Sequence, residues 1–151
     1  MATSTLVQYL EGTDSAGASL GTTPSNRRQT ETFIATEAIA VRDAVSFALN
    51  KSADGDISLH VQKAASNSQP DMCFVGIALT AAAAAGDKIQ VCIAGVCEAN
   101  TSASAQGKSL AISTTAGRLV DYANSDVLPI VAIATEAHSG NVATVVVLKQ
   151  F

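Results

Sequence analysis

Residues 74–100 constrain the fold of this chain more than any other stretch, because apolar and polar residues alternate along part of it. Its sequence is FVGIALTAAAAAGDKIQVCIAGVCEAN. Residues 88–93 alternate with period two, which places side chains on opposite faces of a β-strand. The small residues at 85–87 and 94–95 predict two tight turns, so we expect residues 96–99 to run back beside the preceding strand. The stretch is predicted to form a β-meander.

Similar short strand signals recur along the chain at intervals of about ten residues. Alternating apolar residues run through positions 45–49 and 57–61, with an Asp-Gly turn between them. The remaining strands are predicted at residues 32–35, 39–41, 109–114, 118–122, 127–137 (apolar on both faces) and 142–151. The alanine run at 80–85 is too short for a stable helix of its own. These signals predict an all-β chain, a small β-barrel or β-sandwich with an extended N-terminal arm.

The beginning of the chain differs in composition from the rest, being rich in Ser, Thr and Gly and poor in large apolar residues. Such a segment buries too little apolar surface to offset its ordering entropy. We therefore divide the chain into an extended arm at residues 1–37 and a β-domain at residues 38–151. The candidate contact residues of the arm are Leu6, Val7, Tyr9, Leu10, Arg27 and Arg28.

Charge and hydropathy exclude several classes of protein. Charged residues make up 15% of the chain, against about 25% in ordinary soluble domains, and a surface so poor in charge is often covered by partner subunits. The net charge of −4 and the scattered basic residues argue against nucleic-acid binding. No apolar run is long enough to span a membrane, and no secretory signal is recognisable, so we expect synthesis in a cytosol.

Three cysteines are too few for a disulfide scaffold. If residues 94–95 form a two-residue turn, Cys92 faces Cys97 across the hairpin, and such directly opposed residues are within disulfide reach. Two interpretations stay open: a disulfide, or two small apolar residues that remain reduced in a cytosol.

Nothing in the sequence assembles catalytic or cofactor-binding groups, so we predict neither an enzyme nor a cofactor or metal site. The GKS at residues 107–109 lacks the earlier glycine of a phosphate-binding loop, since Ser102 occupies that position. His60 and His138 are the only histidines, and no nucleophile elbow accompanies them. Asp54 and Asp56 lack the spacing of a calcium loop and are more simply turn residues.

Several short runs together resemble a module of small tailed-bacteriophage capsid decoration proteins, also called cement or head-stabilising proteins. These runs are VGIA at 75–78, AAGDKIQV at 84–91, IAGV at 93–96, GKSL at 107–110 and Gly117. The resemblance covers residues 38–151. It implies a small β-barrel or β-sandwich, generally a trimer, on the outer surface of an assembled phage head, and it carries over no catalytic residues.

The resulting expectation is a non-enzymatic virion protein that bridges capsomers, with the major capsid protein and its own copies as partners. The alternative is a receptor- or glycan-binding β-module of a phage tail or fibre. Such a module favours exposed aromatic residues, of which only Tyr9 and Tyr122 are polar.

Overall fold

A computed structural model describes residues 28–50, 56–65, 73–102, 104–123 and 129–149. The described residues form nine strands and one helical turn. They are β1 (Arg28–Ala35), β2 (Ala44–Phe47), α1 (Asp56–Leu59), β3 (His60–Lys63), β4 (Phe74–Ala78), β5 (Lys88–Asn100), β6 (Ser109–Ile112), β7 (Leu119–Asp121), β8 (Ala132–Ala134) and β9 (Val142–Val147).

Five of these strands close into a barrel, in the order β1-β3-β2-β4-β5, because β5 also pairs with β1. The β1–β5 ladder is antiparallel and runs from Arg28 opposite Gly95 to Ile34 opposite Lys88. The β1–β3 pair is parallel, and the other neighbouring pairs in the barrel are antiparallel. The prediction of an all-β fold with a small barrel is confirmed.

A second layer of strands continues from the same β5. Beyond the barrel, β5 pairs with β9, and the sheet proceeds through β8 and β6 to β7. The β5–β9 ladder runs from Gly95 opposite Val147 to Asn100 opposite Val142. One strand therefore belongs to both units, its first half to the barrel and its second half to the outer sheet.

The buried apolar residues form two separate clusters. The first is the barrel interior, to which all five barrel strands contribute: Phe33, Ala35, Ile39, Val45, Val61, Val75, Ala78, Ala82, Ile89, Val91 and Ile93. The second combines side chains of β2, β4 and β5 with those of the outer sheet, among them Phe74, Ile77, Leu110, Leu119, Val145 and Val147. Adjacent residues of one strand enter different clusters, as Ala44 and Val45 do, so the outer sheet packs against the outside of the barrel wall.

The meander prediction is wrong in its last segment. Residues 94–95 lie inside β5, which continues without reversing for 13 residues, so residues 96–99 extend the strand. Gly95 has a φ of 97°, and the β1–β5 register shifts between Gln29 and Thr30. Such an irregularity bends a strand locally. The glycine that suggested a turn marks the place where β5 passes from one unit to the other.

Three other strand predictions are corrected. Residues 39–41 form no strand, and Ile39 makes only an isolated bridge to Ala82. Residues 56–59 form α1, whose Ile57 and Leu59 side chains are exposed, so alternation there did not reflect burial. Within residues 127–137 the structure describes a strand of three residues, β8, and Ile133 in it is 38% exposed rather than buried on both faces. The β6–β7 hairpin around Gly117 is confirmed.

The predicted domain boundary at residue 37 assigns β1, a strand of the barrel, to the arm. Residues 28–35 form β1, and Phe33 and Ala35 lie in the barrel interior. The rest of the proposed arm, residues 1–27, lies outside the described residues. The arm prediction thus remains a prediction for those residues, and the β-domain begins with β1.

Candidate functional site

A buried carboxylate lies where the barrel meets the outer sheet. Asp43 is 7% exposed and precedes β2. Its Oδ2 accepts a hydrogen bond of 2.8 Å from the backbone N–H of Ala40, and its Oδ1 accepts one of 2.9 Å from Nδ2 of Asn100 at the end of β5. The carboxylate therefore fixes the segment before β2 to the outer half of β5.

The tip of the β6–β7 hairpin reaches the same place. The backbone N–H of Ala44 donates to the carbonyl of Gly117, and the N–H of Gly117 donates to the carbonyl of Ala64, both at 2.8 Å. Gly117 has a φ of 77°, and a Cβ there would lie 2.8 Å from Cγ of Asp43. Only glycine allows both this backbone conformation and this approach.

A polar cleft of about 330 Å³ opens beside this junction. Arg42 and Glu98 form an ion pair of 2.6 Å in it, and their side chains are 44% and 51% exposed. On the neighbouring strand, Thr144, which pairs with Glu98, donates a hydrogen bond of 3.1 Å to Glu136. Arg42 has a φ of 74° and is held there by hydrogen bonds to Ala78 and Asn100. The carboxylates of Glu98 and Glu136 each have a partner inside the cleft, which therefore offers a polar surface.

The two histidines contact different parts of the fold. Nδ1 of His60 lies 2.7 Å from the carbonyl of Asp56, at the start of α1. Nδ1 of His138 lies 3.1 Å from the carbonyl of Ser104 and 3.2 Å from its N–H. Among the described residues, no cluster of three or more His, Cys, Asp or Glu side chains could hold a metal ion.

Cys92 and Cys97 lie in one strand rather than on two strands joined by a turn. Both lie in β5 on either side of its irregular segment, both are free thiols, and both are buried in the cluster between barrel and outer sheet. The Sγ of Cys92 also lies 3.5 Å from the carbonyl of Ala94. The predicted pairing across a hairpin is wrong, because Cys92 pairs with Thr30 of β1 and Ile77 of β4, and Cys97 pairs with Val145 of β9.

The two thiols influence each other's acidity in opposite directions. The pKa of Cys92 is lowered, chiefly by the Cys97 side chain; burial opposes this effect, and the Arg28 charge supports it. The pKa of Cys97 is raised by the Cys92 side chain and by burial.

The structure describes only one of the six predicted contact residues of the arm. Leu6, Val7, Tyr9, Leu10 and Arg27 lie outside the described residues. Arg28 is half-buried at the start of β1, opposite Gly95, and its charge acts on Cys92.

A row of three apolar residues and one serine crosses the face of the outer sheet that is turned away from the second core cluster. Val96 of β5 pairs with Val146 of β9, Val146 pairs with Ile133 of β8, and Ile133 pairs with Ser109 of β6. Directly paired residues share a face of a sheet, and the neighbours of these residues on the opposite face fill the second core cluster. We call Val96, Val146, Ile133 and Ser109 the outer row.

Sequence reasoning missed the junction around Asp43. The available signal was an isolated acidic residue in the apolar run IAVRDAV at 39–45. Such a residue is either exposed or hydrogen-bonded when buried. Its partner Asn100 is 57 positions away, so no local pattern connects the two.

Comparison with known proteins shows the fold. No family model matches the chain, and no curated protein matches it. Among solved structures, the chain is similar to the crystal structure of the head fiber gp8.5 N base of bacteriophage phi29, with a TM-score of 0.54 and 19% identity. The match covers 80% of this chain and 93% of that one. The β-architecture described above is thus shared with a phage protein. No helix within the described ranges is long and apolar enough to cross a membrane.

Proposed function

We propose that this chain is a structural virion protein that binds the outer surface of a phage head and stabilises it by bridging capsomers. The observation that carries the proposal is the similarity of its fold to the N base of a phage head fiber, over nearly all of that structure. The similarity of short sequence runs to capsid decoration proteins points in the same direction.

The exposed apolar groups support a role in assembly. Ile133 and Ile130 are 38% and 37% exposed on the outer sheet and the segment leading into it, and Leu49 and Leu59 are 42% and 51% exposed near α1. Apolar groups that are contiguous at a surface mark contact sites, and strand pairing makes Ile133 continuous with Val146 and Val96. With only 15% charged residues, the chain has few groups that would oppose burial of these surfaces against a neighbour.

The finer parts of the proposal are a trimer and a contacting arm. Several weak contacts made by one oligomer act together, because the first contact raises the effective concentration of the others. Residues 1–27 precede the β1 end that lies beside Gly95, so the arm would leave the domain next to the outer half of β5. Native mass spectrometry of the purified full chain tests the trimer: three chain masses support it, and a monomer at all concentrations contradicts it.

Co-sedimentation with purified empty heads of the encoding phage tests lattice binding. The full chain is expected to pellet with heads in a saturable manner, and a chain that stays in the supernatant contradicts the function. Deletion of residues 2–26 keeps β1 intact and is expected to weaken binding. A matched variant with Leu6, Val7, Tyr9 and Leu10 all changed to Ser keeps the arm length. If both variants bind heads as strongly as the full chain does, the claim that the arm contacts the head is contradicted.

A fibre-type module is the second candidate, because the similar structure is itself part of a head fiber. Such a module would bind a receptor or glycan rather than bridge capsomers. A glycan array probed with the full chain separates the two functions: selective glycan binding without head binding favours the module.

A further inference from the structure

We propose that residues 5–10 of this chain, TLVQYL, bind as a further strand to the free edge of β1. The free edge is the side of β1 at residues 28–33 that faces away from β5. The inference concerns the protein in solution, before any contact with a head, and it does not depend on the proposed function.

Hydrogen bonds of β5 show which backbone groups of β1 point to the free edge. Thr32 is the partner of Gln90 in the antiparallel β1–β5 ladder. Both backbone groups of Gln90 point to the other side of β5, since its N–H donates to Oγ1 of Thr80 and its carbonyl accepts from the N–H of Leu79. Thr32 and Gln90 are therefore a non-hydrogen-bonded pair, and the N–H and carbonyl of Thr32 face away from β5. Those of Thr30 face the same way, because a strand alternates with period two.

Only the last residues of β1 have a partner on that side. β3 pairs with Ile34 and Ala35, and it begins at His60, opposite Ile34. Before His60 the chain forms α1, so β3 does not continue alongside Thr30 and Thr32. Within the described ranges, no other strand pairs with β1 on this side. A row of unpaired N–H and carbonyl groups along a strand is a template for a further strand.

Apolar side chains are exposed beside the free edge. α1 directly precedes β3, next to the point where β1 loses its β3 partner. Its Ile57 and Leu59 side chains are 37% and 51% exposed. A strand added to β1 would pair the backbone groups of the free edge and would bring side chains of its own against this apolar surface. Both changes favour binding.

The beginning of the chain contains one segment that suits this edge. Residues 1–27 precede β1 at the free edge and lie outside the described residues. In their sequence, TLVQYL is the only run rich in large apolar and β-branched residues, and it contains no charge, Gly or Pro. Its two alternating sets each contain two apolar residues, Leu6 and Leu10 in one and Val7 and Tyr9 in the other. Either register therefore presents apolar side chains on the face toward α1.

The connection between this segment and β1 is long enough for binding within one chain. Residues 11–27 reach about 50 Å when extended at about 3.3 Å per residue, whereas the free edge extends only about 17 Å from Arg28. A segment on such a tether has an effective concentration in the millimolar range. A neighbouring chain at micromolar concentration competes poorly with it, so we assign the free edge to residues 5–10 of the same chain.

Amide hydrogen exchange of the isotope-labelled full chain, followed by NMR, tests the inference. The comparison is a full-length variant with Val7→Pro and Gln8→Pro, since one of two adjacent prolines must fall on the hydrogen-bonding side of the added strand and remove its donor. The amides of Thr30 and Thr32 should exchange at least about tenfold more slowly in the unmodified chain than in this variant.

Two controls separate the free edge from the rest of the fold. The amides of Glu31 and Phe33 alternate with those of the threonines and face β5, so they should stay protected in both proteins. The matched variant with Ala18→Pro and Ser19→Pro places the same two prolines in the connection and should keep the slow exchange of the threonine amides.

Three results would overturn the inference. The first is rapid exchange of Thr30 and Thr32 in the unmodified chain, because the edge would then be uncovered. The second is slow exchange that persists in the variant with prolines at positions 7 and 8, because another segment would then cover the edge. The third is slow exchange that disappears on dilution, because the bound strand would then belong to a neighbouring copy.

Discussion

Gly76 of β4 shows how one residue determines the approach of two strands. A Cβ at this position would lie 2.1 Å from the carbonyl oxygen of Cys92 and 2.9 Å from Cγ1 of Val91, both in β5. The backbone oxygen cannot move without disturbing the β5 ladder. The glycine in the VGIA run, recognised in the sequence through a family resemblance, thus has a packing reason in the structure.

Replacement of Gly76 by Ala is expected to lower the free energy of unfolding by about 3 kcal/mol, because the added methyl group overpacks the β4–β5 contact. Urea denaturation measures the effect. The control is Gly86→Ala, where φ is 96° but no atom lies within 4 Å of the new Cβ. Backbone strain alone should cost about 1 kcal/mol there. Equal losses for the two variants would contradict the close approach.

Arg28 is expected to contribute to the acidity of the Cys92 thiol. Its positive charge favours the thiolate, so Arg28→Gln should raise the pKa of Cys92. In a Cys73→Ser background, the pH–rate profile of thiol alkylation by iodoacetamide would then move to higher pH. Lys88→Gln removes an exposed charge from β5, the strand that contains Cys92, and should leave the pH–rate profile unchanged. If Arg28→Gln leaves the pH–rate profile unchanged, the Arg28 charge does not act on the pKa of Cys92.

At the scale of elements, local pairings could be predicted from the sequence and distant ones could not. The β6–β7 hairpin follows from two short apolar runs and the turn at Gly117, all within one window. Closure of the barrel depends on β1 pairing with the first half of β5, far along the chain. Residues 94–95 carry a turn signature, yet they continue a strand, because pairing with β9 on the far side outweighs the local preference.

The Asp43 junction is the element-level contact whose loss should be most costly. Asp43→Ala leaves the N–H of Ala40 and Nδ2 of Asn100 without their acceptor, so we expect a loss of about 2–4 kcal/mol in the free energy of unfolding. Asp87→Ala is the matched control, since Oδ2 of Asp87 also accepts two backbone hydrogen bonds but is exposed. Water replaces that acceptor, and a loss of about 1 kcal/mol or less is expected. Urea denaturation compares them; equal losses would contradict a buried junction.

At the scale of the whole molecule, β5 joins a closed barrel to a sheet packed on the barrel's outside. Among the described residues, the barrel packs against one face of the outer sheet, and the outer row lies on the other face. The sequence indicated the fold class, whereas the residues that share this face depend on strand pairings that only the structure shows.

Cryo-electron microscopy of empty heads, with and without the full-length chain, tests the central proposal most directly. The account predicts additional density on the outer surface of the heads, at equivalent lattice positions, into which the barrel and outer sheet fit as one unit. Identical reconstructions at saturating chain concentration would contradict it.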